Sequence, residues 1–151
     1  MKINKLTLVL LLLLSWNIPG YTQILQPVHW SYAAKRLSSD EAVVFFRAKI
    51  DLGWHIYGLN EPENGPTKSV ISLAESTSYA PEGSVIAPKP IEKYETSFQM
   101  TVHYYENSVT FQQKVKLKAG KTTVNGRIGF MACNSQKCLP PDEVDFHVEV
   151  K

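Results

Sequence analysis

Two stretches of strict two-residue alternation constrain this chain more than any other feature. From Ser108 to Lys118, Val109, Phe111, Val115 and Leu117 alternate with Thr110, Gln112, Lys114, Lys116 and Lys118. From Glu143 to Val150, Val144, Phe146, Val148 and Val150 alternate with Glu143, Asp145, His147 and Glu149. Successive side chains of a strand point to opposite faces, so this pattern fits strands with one face on a core and the other in water. Thr122–Ala132 places Val124, Ile128 and Phe130 on one side. Met100, Val102 and Tyr104 form another set, and Glu106-Asn107 before Val109 predicts a hairpin turn. Ala42–Ile50 is apolar on both faces, as a central strand should be. Val28–Lys35 and Trp54–Leu59 read as shorter strands, and Val70–Ala74 is a further candidate. No window predicts an amphipathic helix, and most of the nine prolines fall between the candidate strands. About eight short strands in one chain predict an all-β, immunoglobulin-like antiparallel β-sandwich. Asn60–Thr67 and Pro81–Phe98 are expected as irregular loops, where function usually sits.

Composition matters here mainly for what it excludes. At 151 residues, with 44% hydrophobic and 20% charged, the chain suits one globular domain rather than disorder or a fibrous repeat. Lys and Arg total 16 against 14 Asp and Glu, and the excess is Lys2 and Lys5. The remainder is neutral, so nothing electrostatic favours nucleic acid or an anionic membrane. Lys2 and Lys5, the apolar run Leu6–Leu14 and the turn-prone Pro19-Gly20 make residues 1–23 a predicted secretory signal peptide. The run is too short to span the hydrocarbon core; an uncleaved amino-terminal membrane anchor is the rival reading. No cysteine follows it, which argues against lipid attachment. Residues 24–151 are expected as the mature domain, exported to a periplasmic or extracellular compartment where disulfides persist.

The chain has two cysteines, in the run Cys133-Asn134-Ser135-Gln136-Lys137-Cys138-Leu139-Pro140-Pro141. Four intervening residues let the chain fold back far enough for a disulfide. Closing so short a loop stabilises a fold by only about 2 kcal/mol, little for a domain with this much apolar residue. A short, exposed bridge is the kind that exchanges. The alternatives are an inert structural disulfide in a non-catalytic binding module, or a Cu(I) carrier. In the carrier, Met131, Met100 or His103 would complete the ligand shell of the two thiolates.

The run from Gly129 through both cysteines to Leu139-Pro140-Pro141-Asp142-Glu143-Val144-Asp145-Phe146 resembles the amino-terminal periplasmic domain of the thiol:disulfide interchange protein DsbD family. Trp30-Ser31, Asp51-Leu52-Gly53-Trp54-His55-Ile56-Tyr57, and the segment from Pro90 through Tyr94 and Phe98 to Tyr105 resemble the same family. The resemblance implies an immunoglobulin-like sandwich with a dithiol at one end and no cofactor or metal. It implies electrons received from a thioredoxin-like protein or domain, itself fed by a membrane thiol reductase. They pass on to periplasmic disulfide proteins, with cytochrome maturation among the processes served.

By the same resemblance Cys138 is the nucleophile and Cys133 resolves. Phe98, with Tyr94 beside it, belongs to a cap loop over the cysteines; His55 and Tyr57 match positions near the pair. The family's best-known form has five residues between its cysteines, one more than this chain. Electron source and acceptor are expected to be other polypeptides. Without a helix terminus nearby, and with Lys137 the one adjacent cation, the thiol is expected to be near-normal in reactivity. His29, His103 and His147 are expected to face outward without a role.

Overall fold

The computed structural model describes residues 25–118 and 120–151; the predicted leader lies outside them. The described residues form eleven strands and no helix: β1 (Val28–Arg36), β2 (Glu41–Ile50), β3 (His55–Tyr57), β4 (Val70–Leu73), β5 (Tyr79–Ile86), β6 (Ile91–Glu95), β7 (Met100–Glu106), β8 (Ser108–Leu117), β9 (Thr122–Phe130), β10 (Ala132–Cys133) and β11 (Asp142–Val150). They make three antiparallel sheets, in the orders β1-β2-β8-β5, β10-β3-β7-β6 and β11-β9-β4.

The first sheet packs its inner face against the other two in one core. The alternating residues of β8 and β11 supply it as predicted: Phe111, Val115 and Leu117 from one side meet Phe146, Val148 and Val150 from the other. Phe46 of β2 and Phe146 of β11 touch edge to face across the middle, centroids 4.8 Å apart. Edge-to-face contact adds to area burial because the rim of one ring is positive and the face of the other negative. The architecture is the all-β sandwich that the alternation predicts.

Three local expectations are corrected. The segment Pro81–Phe98 is not one long loop: it holds most of β5 and all of β6. β5 is an edge strand, where a proline's missing N–H costs no ladder bond. A bulge between Glu82 and Ile86, with Gly83 at φ 68°, also hides its period in the sequence. Gln113 of β8 is buried beneath it and donates to the Glu82 and Gly83 carbonyls at 3.1 and 3.3 Å.

The turn at Asn107 joins no hairpin. β7 and β8 belong to different sheets, and Asn107, at φ 63°, carries the chain from one layer to the other. Asn tolerates that left-handed conformation better than most side chains. The strand expected over Trp54–Leu59 is shorter, His55–Tyr57. Past Tyr57 the chain turns away: the Gly58 carbonyl accepts the Ser69 N–H, and the Ser69 hydroxyl donates to the Tyr57 carbonyl at 2.6 Å.

Candidate functional site

The alternation that builds the core also builds a second, smaller cluster on the opposite face of the β10-β3-β7-β6 sheet. In β10, Ala132 faces the core and Cys133 the other side. In β3, Ile56 faces the core while Tyr57 points away; in β7, Tyr105 faces it and Val102 and Tyr104 do not. Tyr57, Val102, Met131 and Cys133 are buried together on this far face, with Phe98, Met100 and Tyr104 packed against them.

The two cysteines are joined, with Cα atoms 4.0 Å apart, and they differ sharply in access. Cys133 is 1% exposed, whereas Cys138 is exposed to solvent on the loop between β10 and β11. A thiolate must approach along the sulfur–sulfur axis, and of the two cysteines Cys138 is the one that lies on exposed chain. The loop is closed by hydrogen bonds from Asn134 N–H to the Lys137 carbonyl at 2.9 Å and from Leu139 N–H to the Ala132 carbonyl at 2.8 Å.

Several residues singled out in the sequence meet at this loop. His55 is the register partner of Cys133 across the β3–β10 pairing. Its Nε2 lies 3.4 Å from the Tyr57 hydroxyl, and its ring is 4.9 Å from that of Tyr104. Phe98, half-buried, meets Tyr57 edge to face at 6.2 Å. His55, Tyr57, Phe98 and both cysteines line one open cavity. Tyr94 does not: it sits on β6 at 60% exposure, on the face away from the cavity. Met100 and Met131 pack in the cluster yet do not line the cavity that holds both sulfurs. Among the described residues, no three of His, Cys, Asp and Glu gather as metal ligands. His103 is turned elsewhere, its Nδ1 3.2 Å from Glu61 Oε1. His29 pairs with Asp51 and His147 with Asn125, both on the surface.

A family model described as thiol:disulfide interchange protein DsbD, N-terminal, matches residues 22–149. The chain belongs to this family. Three solved structures share the fold, each at 17% identity. The DsbD N-terminal domain of Neisseria meningitidis in its reduced form is matched with a TM-score of 0.51, over 84% of this chain and 90% of that one. The N-terminal periplasmic domain of ScsB from Proteus mirabilis gives 0.60, over 87% of this chain and 49% of that one. The complex between the DsbD and PilB N-terminal domains from Neisseria meningitidis gives 0.53, over 83% and 88%. No curated protein sequence matches the chain. Membership assigns the chain to a family of disulfide-exchange modules, and the cysteine pair such chemistry needs is present and joined.

The sequence reading missed three charged residues at or near this cavity. Lys93 and Glu95 line the cavity from β6, a strand it did not foresee, with Nζ and Oε2 3.6 Å apart. Both read as solvated charges in a mostly exposed segment, so no local signal marked them. Glu61 is the third. Its side chain is fully buried, and its Oε1 accepts the His103 backbone N–H at 2.9 Å. This carboxylate ties the β3–β4 loop to β7, one strand from the cysteines.

These neighbours set the charge state beside the disulfide. Burial pushes the His55 imidazole below its ordinary pKa; Glu95 and Glu106 oppose that shift, and Lys93 adds to it. Burial, then the negative charges of Glu95 and Glu61, push the Tyr57 hydroxyl up to about 12. At neutral pH the cavity therefore holds an uncharged imidazole beside an uncharged phenol. The expected NMR titration of His55 has its midpoint below the ordinary value of 6.5. Since the unfolded chain takes up this proton first, His55 contributes stability at neutral pH. That contribution is lost as pH falls through the folded midpoint. A midpoint at or above 6.5 would contradict the buried placement.

Proposed function

We propose that this chain is a periplasmic or secreted thiol:disulfide interchange module that reduces disulfides of partner proteins through Cys133 and Cys138. The unequal exposure of the two cysteines, in a chain of this family, carries the reading. A donor thiolate attacks the Cys138 sulfur, the Cys133–Cys138 bond breaks, and the Cys133 thiolate leaves and takes up a proton. A second donor thiolate then attacks the mixed disulfide, so that the donor ends oxidised and this pair ends as a dithiol. In the onward step the Cys138 thiolate attacks a target disulfide and Cys133 resolves the mixed disulfide, leaving the pair oxidised and the target reduced.

The donor in this reading is a thioredoxin-like protein or domain, recharged by a membrane thiol reductase. A related N-terminal domain held in complex with another protein's domain supports docking of a folded partner. Residues 1–23 act as the export leader, and a periplasmic relative is consistent with that destination. In this reading Phe98, packed on the cluster that buries Cys133, is a cap on the β6–β7 side that shields that sulfur between encounters and leaves Cys138 open, with Tyr94 on the outer surface as a partner contact.

Equilibration with a reduced thioredoxin-like protein tests the proposal. The expected result is a native dithiol form with a midpoint potential near −270 mV or higher, roughly the thioredoxin range. A bond that stays shut, with a potential below about −300 mV, marks a structural disulfide and overturns it.

A further inference from the structure

We propose that Asn134 is a positioning residue that sets the redox equilibrium of the pair by holding the Cys133–Cys138 loop closed after its disulfide opens. The inference rests on the interchange reading and concerns how strongly the dithiol reduces its targets.

The loop is held by more than its sulfur bond. Asn134 Oδ1 accepts the backbone N–H groups of both Gln136 and Lys137, each at 2.9 Å. The Asn134 N–H returns to the Lys137 carbonyl, and the Leu139 N–H reaches the Ala132 carbonyl. None of these four bonds involves sulfur, so reduction removes none of them, and one side-chain oxygen accounts for two. Cys133 is additionally pinned by its strand pairing opposite His55, while Cys138 lies on exposed chain. The loop's own hydrogen bonds therefore govern where the Cys138 sulfur rests once the covalent link is gone.

Disulfide formation within a dithiol is favoured when its two sulfurs already lie close, because the entropy of bringing them together has been lost in advance. A loop kept closed in the dithiol form makes reoxidation easy and the pair a stronger reductant. Replacing Asn134 by Ala removes the acceptor of two loop N–H groups. The oxidised form stays closed through its covalent bond, but the dithiol relaxes into many conformations. The equilibrium then moves toward the dithiol, and the domain becomes a poorer electron donor. Asp at this position keeps an acceptor oxygen of the same reach.

The test measures the full chain against a glutathione redox series. Two glutathione thiols are oxidised to one glutathione disulfide for each protein disulfide reduced. Wild type, Asn134→Ala and Asn134→Asp are compared at pH 7. Asn134→Ala is expected to shift the equilibrium constant about tenfold toward the dithiol, a rise of about 30 mV for this two-electron couple. Asn134→Asp is expected to stay within about twofold of wild type. Melting temperatures of the oxidised forms should differ little, since the bond closes the loop in each; a merely structural residue would lower them without moving the equilibrium.

An unchanged constant in Asn134→Ala overturns the assignment, as does an equal shift in both variants. A wild-type pair that glutathione cannot open in the native protein overturns the interchange reading together with this one. A wild type that opens normally, beside an unaffected Ala variant, sinks the role of Asn134 alone.

Discussion

A Cys133→Ala variant is expected to accumulate a stable mixed disulfide through Cys138, and a Cys138→Ala variant is not. The difference follows from access. Cys138 is exposed, whereas Cys133 is 1% exposed beneath its own loop and the Tyr57–Val102–Met131 cluster. A suitable partner is a thioredoxin-like protein whose resolving cysteine is removed and whose remaining thiol is activated as an aryl mixed disulfide. Cys138 thiolate attacks the partner sulfur and expels the aryl thiolate; without Cys133 the product is not resolved. With Cys133 as the only thiol, its burial blocks the approach of a partner sulfur, so formation should slow on the order of a hundredfold.

Both variants should remain folded, because the short loop contributes only about 2 kcal/mol when closed. Release of the aryl thiol, followed by absorbance, gives the rate, and mass spectrometry of the adduct identifies the linked cysteine. Equal trapping by both variants, or none by Cys133→Ala while Cys138 reacts with a small alkylating agent, would remove the assigned division of roles.

The second large effect is structural. Gly126→Ala is expected to destabilise the domain by about 3 kcal/mol or more, at or above the upper end of ordinary overpacking. Gly126 lies on β9, opposite Leu73 of β4 on one side and Phe146 of β11 on the other. A methyl group there would come within 2.2 Å of the Ser72 carbonyl oxygen and 2.5 Å of the Phe146 ring. The carbonyl is backbone in a paired strand. The ring is 1% exposed and held by Phe46 and Tyr32, so neither neighbour can retreat cheaply. The melting temperature should fall by about 10 °C or more. Gly120→Ala meets nothing within 4 Å and serves as the control, expected to change stability by less than about 0.5 kcal/mol. A Gly126→Ala protein melting with wild type would mean that β4, β9 and Phe146 are not packed as described.

Gly126 also illustrates what was hidden from the sequence. Within Thr122–Phe130 it reads as a weak point in a strand, and nothing local reveals that a phenylalanine twenty residues later lies over it. β5 and β6 were illegible for a related reason. Edge strands need only one partner and tolerate proline, bulges and exposed side chains, so Pro81, Gly83 and the mostly exposed Ile91–Glu95 carry no clean alternation. Glu61 gave no signal, since a lone acidic residue in a Pro- and Gly-rich loop reads as solvated. Its burial depends on His103, forty-two residues away.

The chain's own order of residues determined the all-β class, the inward phase of β8, β9 and β11, and the presence of a closable cysteine pair beside Pro140-Pro141. These follow from nearest-neighbour geometry: period two on a pleated strand, and four residues as sufficient slack for a bridge. Tertiary structure alone decided which sheet each strand joins, and hence that Asn107 turns a corner between layers instead of closing a hairpin. It alone decided that Cys133 faces the Tyr57 cluster opposite His55 while Cys138 stays in water. Those outcomes depend on contacts between segments far apart in the chain, and local periodicity carries no information about which distant face a strand will meet.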